Sequence, residues 1–231
     1  MKLKNLFARA AATIAIAMVA TPSFAVGTIW VRDTTVNANW VLLATDQGAG
    51  DTAAGIAGLV DTGKLVYGQW IVSGSGTSYP LLGSPTKPYM DVLTYSLSSQ
   101  GAGTVELAFL DGNFSLPTGG TATAGIGGTS DGTVVWGVQF SGFNSSDANS
   151  FVTATCFVEN AGGPGPFSNS KQCIIPADDL FSIAQYVAVT HTGGGQLTTL
   201  DFSFRVVPEP GTLALLGLGL IGIGLGRRRA A

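Results

Sequence analysis

The residues that could do chemistry are few and lie far apart in the sequence. His191 is the single histidine among 231 residues, which excludes multi-histidine metal sites and leaves few catalytic dyads. It lies in the Thr- and Gly-rich stretch 190–195, which predicts a solvated turn. The segment 128–132 reads Gly-Thr-Ser-Asp-Gly and matches the G-x-S-x-G pattern of serine hydrolases, but that elbow joins a strand to a helix. Here a glycine-rich loop is predicted before it and a strand after it, so Asp131-Gly132 is interpreted as a turn.

Carboxylates are spread along the chain without a recognisable motif. Asp46 with Asp51, and Asp178 with Asp179, fall in predicted loops, where calcium accepts flexible oxygen ligands. Neither pair has the EF-hand spacing, so solvated loop carboxylates are the preferred interpretation, and no metal or other cofactor is expected. A pair of acids for glycoside hydrolysis cannot be picked out of the sequence.

Aromatic side chains offer one binding hypothesis, a flat platform that stacks on sugar rings. Trp136 alternates with apolar neighbours and is expected in the core. Tyr79 and Tyr89 flank Pro-containing loops and are expected to be the more exposed pair, and the ligand-binding residues are otherwise left open. The full set of candidates is Trp30, Trp40, Trp70, Trp136, Tyr67, Tyr79, Tyr89 and Tyr95.

The two cysteines, Cys156 and Cys173, are predicted to form a disulfide if the chain is exported to an oxidising compartment. Closing a loop of this size contributes about 3 kcal/mol in the chain-entropy model. The intervening Gly-Gly-Pro-Gly-Pro at 162–166 is expected not to pair as a strand. A redox-active or nucleophilic thiol is the alternative, but the spacing is not that of a C-x-x-C motif.

The elements that must position these residues are strands. Apolar and polar residues alternate with a period of two through most of 26–206, and no segment there shows a convincing helical stripe. Nine or ten strands separated by Gly, Pro, Asn and Asp clusters predict an all-β fold, an antiparallel β-sandwich with a jelly roll as one form of it. The strand candidates are 28–32, 39–44, 64–73, 89–97, 104–109, 134–140, 152–158, 183–190 and 200–206.

Composition and charge narrow the class of protein. The chain is 45% hydrophobic and only 11% charged, which excludes a disordered chain. Between residues 26 and 206, five basic residues stand against thirteen acidic ones, a net charge of −8. A polyanion is repelled by such a domain, so nucleic acid is not expected as a partner.

The N-terminus predicts export. Three basic residues precede the apolar run 10–20, and small residues lie at the −3 and −1 positions before Val26. Residues 1–25 are therefore interpreted as a signal peptide that signal peptidase removes between Ala25 and Val26. An N-terminal membrane anchor is the alternative, but the apolar run is too short to span comfortably.

The C-terminus has three parts in order: the rigid Pro208-Glu209-Pro210, the apolar segment 212–226, and the basic Arg227, Arg228 and Arg229. Fifteen helical residues extend about 22 Å, a marginal span of a bilayer. The arginines predict a cytoplasmic end for that transmembrane helix, which leaves the β domain on the outer side of the inner membrane. A plain tail anchor is the alternative reading.

This tail resembles the PEP-CTERM sorting signal, which exosortases recognise. The resemblance implies processing around Pro208-Glu209-Pro210 by a membrane sorting enzyme. It also implies an inner-membrane intermediate and a mature protein at the cell surface or outside the cell. It associates the chain with exopolysaccharide and biofilm matrix. The expected division is thus a signal peptide at 1–25, an extracellular β domain at 26–206 and a sorting tail at 207–231.

Three functions remain open for the β domain. The first is a non-enzymatic surface or matrix protein, structural or associated with extracellular polysaccharide. The second is a secreted carbohydrate-active enzyme or a lectin-like module on a jelly roll. The third is a subunit that polymerises through an exposed β edge.

Overall fold

The structure, a computed structural model, describes residues 26–37, 39–150 and 154–207, so the predicted signal peptide and all of the predicted sorting tail except Val207 lie outside the described residues. Within those ranges the chain is all β, and no helix of a length and apolarity sufficient to cross a membrane is present. There are twelve strands: β1 Thr28–Asp33, β2 Val41–Thr45, β3 Leu59–Tyr67, β4 Trp70–Thr77, β5 Tyr89–Ser99, β6 Gly103–Leu116, β7 Gly120–Ser130, β8 Thr133–Ser141, β9 Ala154–Gly162, β10 Gly165–Ile175, β11 Asp178–His191 and β12 Leu197–Val207.

The strands form two antiparallel six-stranded sheets. The front sheet has the order β2-β1-β6-β11-β8-β9, and the back sheet has the order β10-β7-β12-β5-β4-β3. Strands β5 to β12 occupy the orders 6-11-8-9 and 5-12-7-10, which is an eight-stranded jelly roll built from two Greek keys. The hairpins β1-β2 and β3-β4 extend the two sheets on the same side. The predicted antiparallel sandwich and its jelly-roll form are confirmed.

The core lies between the two sheets, where alternate residues of each strand point inward. On β8 the inward residues are Val134, Trp136, Val138 and Phe140, as the period-two pattern predicts. The Trp136 ring contacts Phe157 of β9 at 4.7 Å and Phe202 of β12 at 5.3 Å between ring centroids. This aromatic stack joins the front sheet to the back sheet through side chains alone.

Several strand predictions need correction. The predicted strand 64–73 is the end of β3 and the start of β4, because the chain reverses at Gly68, whose φ is +57°. The glycine-rich stretch before Ser130 is strand β7 and not a loop. Part of the segment 162–166 also takes part in pairing: β9 ends at Gly162 and β10 begins at Gly165, with Gly163 and Pro164 between the two strands. These differences account for the gap between the nine or ten predicted strands and the twelve strands of the described residues.

The predicted disulfide between Cys156 and Cys173 is confirmed, and it closes one side of the sandwich. Cys156 lies on β9, the edge of the front sheet, and Cys173 lies on β10, the edge of the back sheet. An ion pair between Lys171 and Glu159, with a 2.7 Å Nζ–Oε2 distance, spans the same two strands. The bridge therefore ties the edges of the two sheets together.

Candidate functional site

A groove of about 260 Å³ runs across the outer face of the front sheet. Its walls are aromatic and polar, and its floor is formed by small residues. It lies over the central strands β1, β6, β11 and β8. The lining residues are Arg32, Trp40, Ala108, Leu110, Gln139, Ala148, Val158, Ala184 and Tyr186.

The floor follows from the pairing register. Neighbouring residues on paired strands share a face, and one outward row reads Trp30, Ala108, Tyr186, Gly137 and Val158 from β1 to β9. Half of the central positions of that row and of the next are Ala or Gly, namely Ala108, Gly137 and Ala184, so the floor is low there. A Cβ at Gly137 would lie 2.4 Å from a backbone oxygen of β9, so glycine is required at that position.

Trp40 forms one wall and is held in place by its surroundings. Its backbone N–H donates to Asn149 Oδ1 at 2.8 Å, and the Asn149 amide donates back to the Trp40 carbonyl at 3.0 Å. The Arg32 guanidinium lies over the indole, 4.7 Å from the ring centroid. Trp40 also meets Tyr186 edge to face, with centroids 6.3 Å apart. A half-buried indole fixed on several sides keeps its orientation in the absence of a ligand.

The loop 142–150 crosses the front sheet and fixes this wall from above. The Ser146 carbonyl accepts hydrogen bonds from Thr28 Oγ1 at 3.0 Å and from the Trp30 indole N–H at 3.1 Å. Trp30 is nearly buried beneath the loop with Ala108, Leu110 and Ala184. This small apolar cluster lies on the opposite face of the sheet from the main core and supports the groove.

The polar end of the groove is a three-residue network. The Tyr186 hydroxyl donates to Glu106 Oε1 at 2.8 Å, and Arg32 Nε donates to Glu106 Oε2. Burial and the hydrogen bond to Glu106 raise the pKa of Tyr186, so the phenol stays neutral. Since the Arg32 and Glu106 charges cancel, the groove offers hydrogen-bonding groups and aromatic faces with no net charge.

The predicted solvated turn at His191 is wrong, because the histidine is only 1% exposed. It packs against Trp70 with ring centroids 5.0 Å apart. Its Nδ1 lies 2.8 Å from Ser99 Oγ, and its Nε2 lies 2.9 Å from Thr198 Oγ1. The Ser99 hydroxyl donates its hydrogen to the Gly193 carbonyl, so toward His191 it can only accept, and Nδ1 carries the ring proton. The unprotonated Nε2 therefore accepts the hydrogen of the Thr198 hydroxyl.

The G-x-S-x-G segment ends in the same network and is not a nucleophile elbow. Ser130 Oγ lies 2.6 Å from Thr198 Oγ1 and accepts from the Gly132 N–H at 3.0 Å. Strands lie on both sides of the segment, so the predicted turn at Asp131-Gly132 holds, although what precedes it is a strand. With Ser130 and His191 both buried, the cluster has no access for a substrate.

The remaining sequence candidates have mainly structural contacts. Asp51 Oδ1 accepts from the backbone N–H groups of Ala53 and Asp61, and Asp178 Oδ1 accepts from that of Leu180. In the described part of the chain no three His, Cys, Asp or Glu side chains cluster as metal ligands. Tyr79 and Tyr89 are both half-buried, and neither lines the groove. Of the groove residues, Trp40 is among the sequence candidates without preference over the other aromatic residues, and Tyr186, Arg32 and Glu106 are not among them.

Comparison with known proteins identifies the tail. Residues 206–229 match the model of the PEP-CTERM protein-sorting motif, which confirms the resemblance stated for the C-terminus. The motif is a C-terminal signal for export to the cell surface through a membrane exosortase, and the chain is a surface protein sorted in this way. The rest of the chain matches no family model, and no curated protein matches it.

Solved structures share only the general architecture. A cleaved adhesin domain of Lys-gingipain from Porphyromonas gingivalis is 13% identical, covers 65% of this chain and 98% of its own, and has a TM-score of 0.36. A carbohydrate-binding module, TmCBM61, solved with β-1,4-galactotriose, has 15% identity, coverages of 58% and 86%, and a TM-score of 0.31. The N-terminal cellulose-binding domain of a Cellulomonas fimi β-1,4-glucanase has 16% identity, coverages of 48% and 82%, and a TM-score of 0.28. At such scores these likenesses carry no functional argument.

Proposed function

We propose that the β domain is a non-enzymatic surface or matrix module that binds neutral polysaccharide in the groove of the front sheet. The observation that carries the proposal is the pre-ordered aromatic wall of Trp40 and Tyr186 above a floor of small residues. The C–H face of a sugar ring packs on an aromatic face, and its hydroxyls bond to planar polar groups at the edge. Arg32, Gln139 and the Tyr186 hydroxyl supply such groups.

Charge favours a neutral ligand. The groove has no net charge because Arg32 is paired with Glu106. The domain as a whole carries −8 between residues 26 and 206, which repels acidic polymers over the Debye length. A neutral glucan or galactan is not repelled by the charge of the domain, so we expect it to bind more tightly than an acidic polysaccharide.

Binding is proposed in preference to catalysis because of the carboxylates. Glycoside hydrolysis ordinarily needs two acids about 5 to 9.5 Å apart across the substrate. Among the described residues that line the groove, none is a carboxylate. Glu106 lies next to it but has both oxygens engaged, by Arg32 and Tyr186, and is only 8% exposed. A fixed and covered carboxylate suits a structural role.

Affinity gel electrophoresis tests the proposal on the protein purified from the culture medium. The gels contain laminarin, dextran, galactan or alginate, so that neutral and acidic polymers are compared directly. Trp40→Ala removes the wall and should weaken binding at least about tenfold, which corresponds to about 1.4 kcal/mol. Tyr186→Phe keeps the ring and removes the hydroxyl, so a smaller loss is expected.

Tyr89→Ala is the matched control, because it removes a half-buried aromatic residue on the back sheet. Retarded migration that Trp40→Ala leaves unchanged would place the ligand elsewhere. If none of the four polysaccharides and no exopolysaccharide of the host retards the protein relative to a gel without polymer, the proposed function is rejected.

The processing part of the proposal has a separate readout. Signal peptidase cleavage after Ala25 and exosortase processing near Pro208-Glu209-Pro210 define both ends of the mature chain. The intact mass of the released protein reports both cuts. Deletion of Pro208–Pro210 should keep the full-length protein in the membrane fraction, and unchanged release would contradict exosortase dependence.

A further inference from the structure

A second polar cluster lies between the two sheets, near the end of the sandwich at which the C-terminal ends of β6 and β12 lie. It consists of Asp46, Ser78 and Asp111. Asp111 and Ser78 are 0% and 1% exposed. Three of their oxygens, Asp46 Oδ1, Ser78 Oγ and Asp111 Oδ2, are buried and make no hydrogen bond of good geometry with the residues that the structure describes, although the Ser78 side chain lies close enough to lower the pKa of Asp111. Buried polar atoms in native proteins are nearly always satisfied, so three neighbouring exceptions call for a ligand.

The backbone brings these side chains together. Thr28 pairs with Leu110, which places Gly27 beside Asp111, and the Asp46 N–H donates to the Gly27 carbonyl at 2.8 Å. On its other side Asp46 Oδ2 accepts from the Gly58 N–H at 2.8 Å. The Gly58 carbonyl in turn accepts from the Ser78 N–H at 2.8 Å. Each contact uses groups other than the three orphaned oxygens.

The cluster is electrostatically uncompensated. Burial raises the pKa of Asp111 to about 7 and the Asp46 charge adds to the rise, whereas Ser78 and the Gly112 N–H oppose it. Burial also raises the pKa of Asp46. The two ion pairs found in the described ranges, Arg32–Glu106 and Lys171–Glu159, involve neither carboxylate. A buried carboxylate with no cationic side chain is stable only if it is protonated or coordinates a metal ion.

We propose that Asp46, Ser78 and Asp111 bind one calcium ion. Calcium takes six to eight oxygen ligands in flexible geometry, including carbonyls and water, so two carboxylates and a hydroxyl can form part of its shell. Two carboxylates also neutralise its charge. The all-oxygen set does not suit zinc, which prefers nitrogen and sulfur, and magnesium demands stricter octahedral geometry. The site is independent of the groove.

Thermal unfolding of the secreted protein tests this directly. After dialysis against EDTA, calcium chloride is titrated against magnesium chloride at equal ionic strength. At free calcium about 100 times the dissociation constant, the melting temperature should rise by about 5 to 10 °C, with a much smaller response to magnesium. A chelator competition assay should give one calcium ion per chain.

Asp111→Asn separates the ion site from a merely structural carboxylate. Without calcium this variant should melt at or above the wild-type temperature, because an uncompensated charge has been removed. It should also lose the calcium response. Asp46→Asn should reduce the response, and Asp201→Asn, an exposed carboxylate on the back sheet, should retain it. Wild-type protein that does not respond to calcium, or an Asp111→Asn variant with the full response, overturns the site.

The rival occupant is a proton shared between Asp46 and Asp111. It predicts a melting temperature that rises as the pH falls from about 7 to 5 and does not change with calcium. That result would also overturn the proposal.

Discussion

The disulfide between Cys156 and Cys173 should be a major contributor to the stability of this sandwich. The cysteines are 17 residues apart, and a cross-link of that length removes about 3 kcal/mol of denatured-state entropy in the chain-entropy model. For a domain of this size each kcal/mol shifts the melting temperature by roughly 2 to 4 °C. The Cys156→Ser/Cys173→Ser variant should therefore melt about 6 to 12 °C below the wild type.

The position of the bridge adds a spatial expectation. It joins edge strands of different sheets, and β9 carries Phe157, which packs on the buried Trp136. Hydrogen exchange should therefore accelerate first in β9 and β10 of the double variant. Amides of the central strands β6 and β11 should exchange only through global unfolding.

Circular dichroism melts of three proteins test the magnitude. The wild type with reductant should match the double serine variant. Lys171→Ala removes the exposed ion pair across the same two strands and should cost no more than about 1 kcal/mol. If the double variant loses no more stability than Lys171→Ala, the entropic reasoning is refuted, and side-chain packing holds β9 and β10 together.

Two further predictions concern the core. Burial lowers the pKa of His191, with Asp131 opposing, so the unfolded chain binds the proton more tightly. The free energy of unfolding should therefore fall as the pH drops below about 6.5 and level off beneath the folded-state pKa, and His191→Gln should remove that slope in urea titrations. Gly74→Ala should destabilise the domain by about 1 to 3 kcal/mol, because its Cβ would lie 2.5 Å from the Tyr95 ring. Gly55→Ala, with no heavy atom within 4 Å, is its control and should be neutral; similar melting of both variants would contradict the steric argument.

The fold was predictable from the sequence wherever large side chains mark the alternation, as on β8 and β12. Strands whose inward residues are small were not predictable in this way. On β7 the buried apolar residues are Ala122, Ala124 and Ile126, and Gly125 and Gly127 face outward, so the period of two is present but faint. The prolines of the segment 162–166 predict no pairing, yet Pro166 is the second residue of the edge strand β10, where a proline is tolerated.

The site was less predictable, because a groove is a property of register. Nothing local distinguishes Trp40 from the buried Trp70, and the alanines of the floor come from segments far apart in the sequence. It is strand pairing that puts small residues beside an aromatic one, since Tyr186 pairs with Ala108 on one side and with Gly137 on the other. The position of His191 was unpredictable for a related reason. Its Thr/Gly surroundings are typical of a turn, but the end of β11 lies against Ser99 and Thr198, which belong to strands of the facing sheet.

The strand that leads into the sorting tail is β12, and its position separates sorting from binding. It lies between β7 and β5 in the back sheet, and its pairing continues to Val207, opposite Thr121. The groove lies on the outer face of the other sheet, with the whole core between them. If the chain is held at its C-terminus, the pulling force acts on β12, a central strand with a partner on each side. The groove faces away from the sheet that contains β12. Under the proposed function, a membrane-held precursor and a processed protein would present the same groove, so removal of the tail should change the location of the binding site and not its affinity for polysaccharide.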